Sequence, residues 1–157
     1  MKYFANDEVI KAAASIHIAC KLDPENKIFR DKYKEVRVLA RKAKGLEFFS
    51  LAENAENYQN YGQAIEHYRK AVDYEVDEPQ AYARLAYLLE KLDPDPREIV
   101  RLLQIAVQKS PENVEFRCRL GERYAAQGLT LNARREFNQA LKLDKNNVRA
   151  KEGLSQL

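Results

Sequence analysis

Residues 114–147 read VEFRCRLGERYAAQGLTLNARREFNQALKLDKNN, with Leu120-Gly121, Tyr124, Gly128, Ala133, Phe137 and Ala140 at spacings that recur elsewhere in the chain. Taking Gly45, Pro79, Val114 and Val148 as first positions aligns four stretches at intervals of 34, 35 and 34 residues. A fixed period of this length marks stacked helix-turn-helix units, none of which can bury its apolar face alone.

The register explains the residue sizes. Position eight holds Ala52, Ala86, Gly121 and Ser155, and position 20 holds Ala64, Ile99 and Ala133. Small side chains let two helices cross at about 8–10 Å. Position seven holds Leu51, Leu85, Leu120 and Leu154, and position 24 holds Tyr68, Leu103 and Phe137, which are large enough to fill the space around that crossing. Position 27 is alanine three times, at Ala71, Ala106 and Ala140, where the next unit must pack closely.

These residues resemble the tetratricopeptide repeat family, whose 34-residue pattern carries Leu-Gly, Tyr, Ala, Phe, Ala and Pro at set positions. The resemblance is strongest over 114–147 and good over 45–78. It implies an all-α, right-handed solenoid of antiparallel helix pairs, with repeats at 45–78, 79–113 and 114–147 and a closing helix at 148–157. The middle copy departs from the pattern at Leu92-Asp93-Pro94-Asp95-Pro96-Arg97, one residue longer than usual. Its prolines require one helix to stop near Leu92 and the next to restart after Pro96.

Residues 1–44 break the period. Ala12, Ile16 and Ala19 fit positions 20, 24 and 27, and Leu22-Asp23-Pro24-Glu25-Asn26 fits the closing turn. In that register Tyr3 takes the family's tyrosine position and Asn6-Asp7-Glu8 the turn. Residues 1–26 then form a truncated repeat, as expected of a chain cut from a longer protein. The next in-phase repeat starts 18 residues after Lys27, which is five turns at about 3.6 residues per turn. An insertion of whole turns keeps the apolar face in line, and Phe29, Tyr33, Val36, Ala40 and Ala43 run by threes and fours into Ala52. One helix of about 30 residues is therefore expected from Ile28 to Tyr58, with a kink at Gly45 as its weak point. The whole chain is expected to be a single continuous array.

Composition excludes several classes. The 157 residues include two cysteines, Cys20 and Cys118, far apart, and two histidines, His17 and His67. No metal-ligand spacing, phosphate loop or nucleophile motif is present, so neither cofactor, metal nor catalytic residue is expected and an enzyme is the weakest class. No membrane-span or signal-peptide pattern is present, and a cytoplasmic location is expected.

Two surfaces remain as candidates for binding. The family resemblance implies a partner groove along the first helix of each repeat: Leu46, Phe49, Ser50 and Glu53, then Arg84, Tyr87 and Glu90, then Cys118, Arg119 and Glu122. Aromatic and arginine residues are typical anchors. Family members that hold a chaperone C terminus use lysine, asparagine and arginine at five positions. Here those positions hold Phe49, Glu53, Arg84, Glu115 and Arg119, of which only Arg119 matches, so that specialisation is not expected. The second surface is Lys27, Arg30, Lys34, Arg37, Arg41 and Lys44, a strip in a segment of eight basic and two acidic residues, expected roughly opposite the apolar stripe. It suits an adaptor for an acidic protein, nucleic acid or anionic surface. Nucleic acid is disfavoured, because no aromatic is interleaved for stacking. Uncovered apolar ends also admit self-association into a homo-oligomer.

Overall fold

The computed structural model describes residues 2–92 and 95–157, with side chains from Asp7 onward. The helices are α1 (Lys2–Leu22), α2 (Lys27–Asn57), α3 (Tyr61–Asp73), α4 (Pro79–Leu92), α5 (Pro96–Lys109), α6 (Val114–Ala126), α7 (Thr130–Leu143) and α8 (Val148–Ser155). No strand occurs among the described residues. The chain divides into two compact units, residues 1–77 and 78–157.

In the first unit α2 is the axis. Its 31 residues span about 45 Å at about 1.5 Å per residue. Asn26 caps it, its Oδ1 accepting from the amides of Ile28 and Phe29. The helix runs unbroken through Gly45, as the whole-turn insertion predicts. Gly45 is buried there because the chain leaving α3 lies against it. A Cβ added at Gly45 would stand 3.2 Å from the Cβ of Val76 and 3.3 Å from that of Tyr74.

The expected turn at Asn6-Asp7-Glu8 is not formed: α1 is a single helix through those positions. The three residues include neither glycine nor proline, and Lys11 closes an ion pair on Asp7 one turn back at 2.6 Å, which favours helix. The role expected for Tyr3 lies outside the described side chains. Ala12 is exposed and Ile16 and Ala19 are half-buried, so α1 lines α2 without reproducing a repeat core.

The second unit packs more deeply. At the aligned positions Leu85, Ala86, Ile99, Leu103, Ala106, Leu120, Ala133, Phe137 and Ala140 are all buried. Phe137 sits between two glycines. A Cβ on Gly121 would come within 2.7 Å of its ring, and Gly153 of α8 closes against the same ring. Arg117 and Glu136 pair at 2.9 Å across α6 and α7 with little exposure. α4 ends at Leu92 and α5 begins at Pro96, with Asp95 as its cap; Asp93 and Pro94 of that turn lie outside the described residues.

Candidate binding face

In the second unit, α4, α6 and α8 present a continuous polar ladder. Tyr87 of α4 is half-buried, and three cations sit over its ring: Lys91 at 4.4 Å, Arg119 of α6 at 4.9 Å and Arg84 at 5.7 Å from the centroid. Steps of three and four residues along α4 put Arg84, Tyr87 and Lys91 on one stripe, and Arg119 reaches it from the next helix. A hydrogen bond from Lys91 is the main cause that draws the Tyr87 hydroxyl below its ordinary pKa, with the charges of Lys91, Arg119 and Arg84 adding to it.

The next rung pairs Glu90 of α4 with Arg123 of α6 at 3.5 Å. Farther along, Arg149 of α8 holds both carboxylate oxygens of Glu122, one through Nη2 at 2.5 Å and the other through Nε, and also Glu115 at 2.7 Å. Arg119 donates to the same Glu115 oxygen at 2.7 Å. Burial raises the Glu115 carboxyl, but hydrogen bonds from Arg149 and then Arg119 outweigh it and hold the pKa below the ordinary range. Arg149's hydrogen bonds to Glu122, partly opposed by burial, raise its pKa further above the ordinary guanidinium value. The face is thus an ordered set of cations and acids around one aromatic ring, suited to an anionic or hydrogen-bonding segment that also offers apolar surface.

Five of the ten expected groove residues meet here: Arg84, Tyr87, Glu90, Arg119 and Glu122. Cys118 does not join them. It is 1% exposed, its Sγ donates to Asn147 Oδ1 at 3.5 Å, and burial is the main cause raising its thiol pKa. Position five of this repeat packs against Asn147, the cap of α8, and not into the groove. Sequence reasoning missed Lys91, Arg123 and Arg149. For Arg149 the signal was present, since it holds position two of the fourth stretch, the position that Leu46 holds in the first and that was assigned there to the groove.

In the first unit, Leu46, Phe49 and Ser50 are half-buried and Glu53 is exposed on α2. Phe49 packs against the Tyr68 ring, 6.1 Å between centroids. The basic strip divides. Lys27, Arg30 and Lys34 are exposed, with Lys34 paired to Asp31 at 3.3 Å. Arg37, Arg41 and Lys44 instead line a cavity together with Ala40, Ile10, Ala13 and Tyr74. The strip therefore flanks the apolar stripe and does not lie opposite it, because α1 and the end of α3 both pack against the middle of α2.

No protein-family model matches the chain, and no curated protein does. Solved structures give its fold. The first TPR domain of Spaghetti (RPAP3), bound to the HSP90 peptide SRMEEVD, is 20% identical with TM-score 0.62, over 73% of this chain and 90% of that one. MamA is 17% identical with TM-score 0.61, over 98% of this chain and 78% of that one. The Arabidopsis OM64 TPR domain is 17% identical with TM-score 0.60, over 74% and 95%. The chain therefore has the fold of tetratricopeptide repeat domains.

Proposed function

We propose that this chain is a non-enzymatic protein-interaction scaffold, cytoplasmic, whose partner segment lies along the α4–α6–α8 face with Tyr87 as its central anchor. The observation that carries this reading is the ring of Arg84, Lys91 and Arg119 around a half-buried Tyr87. Tyrosine and arginine are frequent interface anchors, and the contacts around Tyr87 hold these side chains in place beforehand, which lowers the ordering cost of binding. That several solved domains of this fold are bound to HSP90 or HSP70 peptides supports the class of function. The ligand differs, because Glu115 stands at one of the positions where chaperone-tail binders carry a cation, and its charge opposes an incoming carboxylate there.

Panning a random peptide display library on the full chain, then measuring the selected peptides by calorimetry, tests the reading. Tyr87→Ala is expected to weaken them by at least about thirtyfold, as loss of an interface anchor does. The triple reversal Lys27→Glu, Arg30→Glu, Lys34→Glu leaves them within about twofold if the groove and not the basic strip carries binding. Peptides bound unchanged by the Tyr87 variant, but lost in the triple reversal and at raised salt, would establish the adaptor instead.

A further inference from the structure

The first unit contains a cavity of about 280 Å³ between α1, the middle of α2 and the segment after α3. Its floor is apolar, made by Ile10 and Ala13 of α1 and Ala40 of α2. Its rim carries three cations, Arg37, Arg41 and Lys44, beside Tyr74. Among the described residues no carboxylate lines it.

Two of the cations are fixed from outside. Arg41 donates to the carbonyl oxygen of Asp73 at 2.6 Å and lies 5.6 Å from the Tyr74 ring centre, while the well-exposed Glu75 reaches it only at 3.8 Å. Lys44 is held by Glu47 at 2.8 Å and stands over the Phe48 ring. Arg37 makes no ion pair among the described residues. A purely apolar ligand would leave Arg37 partly desolvated with no counter-charge, whereas a small hydrophilic anion would leave the floor uncovered. A molecule with one apolar group and one carboxylate satisfies both, since guanidinium groups grip carboxylates in a two-point fork. Size agrees: an apolar cavity of about 150 Å³ accepts benzene. The present one is larger and open to solvent on one side, which leaves room for a six-membered ring or a short branched chain with its acid group at the rim.

We propose that this cavity binds a small amphipathic carboxylate of the arylacetate or branched short-chain class, its apolar group on Ile10, Ala13 and Ala40 and its carboxylate on Arg37 and Arg41. The same chemistry is offered by a free acid and by the C-terminal residue of a polypeptide ending in an apolar side chain. The site is separate from the Tyr87 face and stands or falls without it.

Titrating the full ¹⁵N-labelled chain with phenylacetate, its neutral analogue 2-phenylacetamide, and the peptide Gly-Gly-Phe with a free or amidated C terminus tests this. Saturable shifts are expected at the Ala13 and Ala40 amides, with the neutral or amidated member of each pair at least about tenfold weaker. A response to phenylacetate alone identifies a free acid as the ligand, and a response to free Gly-Gly-Phe alone identifies a polypeptide terminus; either supports the site. Arg37→Gln, at an exposed position that leaves packing intact, should weaken the binding several-fold, and Ala13→Leu, which fills the floor, should abolish it. Absence of a saturable shift with all four ligands, equal response to charged and neutral partners, or wild-type titration of both variants overturns the proposal.

Discussion

The two units solve the same packing problem with different completeness. Among the described residues, the core has 20 buried apolar side chains in residues 78–157 and seven in residues 1–77, none of them before Val36. The second unit has a short A helix for each B helix, so apolar positions face one another from both sides. The first lays α1 and α3 along one long helix, and Ile18, Leu22, Ile28, Val38 and Leu39 stay exposed. Burial stabilises by about 25 cal/mol per Å², so the second unit is the sturdier.

The largest effect that sharpens this contrast is expected at position 24. Phe137→Ala should cost about 3–5 kcal/mol and expose α6–α8 amides to hydrogen exchange, because a ring clamped by two glycines leaves a cavity that cannot collapse. Tyr68→Ala removes the equivalent ring from the first unit together with its hydroxyl bond to Glu56 at 2.9 Å. Its core is sparser and relaxes more, so the loss there should be smaller. An equal or larger loss at Tyr68 would refute the ranking.

Next comes position eight. Ala52 of the first unit is fully buried and already accommodates a Cβ, whereas a Cβ at Gly121 meets the ring of Phe137 at 2.7–3.0 Å. Gly121→Ala is expected to destabilise by about 1–3 kcal/mol through overpacking, lowering the melting temperature by several degrees.

Position 15 should give an effect of opposite sign. Gly128 ends α6 at φ 72°, with its own amide bonded to Ala125 and the Leu129 amide to Tyr124. The same termination occurs after α2, but there Gln59 takes the left-handed φ of 59°. A side chain in that conformation costs about 1 kcal/mol, so Gln59→Gly should stabilise the first unit by about that amount, as seen in a denaturant midpoint. Gly128→Gln should lose as much from the second.

The fold was readable because its rules are local and periodic. Small residues at positions eight and 27, and at position 20 in two of the three repeats, mark helix crossings, and 18 inserted residues make five whole turns, which was enough to draw α2. The α1 expectation failed because the repeat register was extended into Asn6-Asp7-Glu8, where no residue breaks a helix. Lys91, Arg123, Arg149 and the cavity beside Tyr74 are set by side chains that meet from different helices. Gly153 belongs with them: its need for glycine comes from the Phe137 ring, contributed by another helix.

The smallest effect is one of pH. Glu66 and Glu115 both have carboxyls held below the ordinary range, the first mainly by a hydrogen bond from Lys70, the second by Arg149 and Arg119 acting against burial. Glu66 pairs within α3, so its protonation releases only a surface side chain. Glu115 helps to tie α8 to α6. A depressed folded pKa means that its contribution is complete above the unfolded carboxylate pKa, about 4.3, and is lost as pH falls through the folded value. Half-exposure and screening limit it to well under 1 kcal/mol. Between pH 6 and pH 3.5, amide exchange corrected for its intrinsic rate should therefore accelerate in α8 while α3 stays level. In Arg149→Gln, where Glu115 keeps only its pairing within α6, that acid-dependent difference should shrink; an unchanged one would show that Arg149 is not the tie between the two helices.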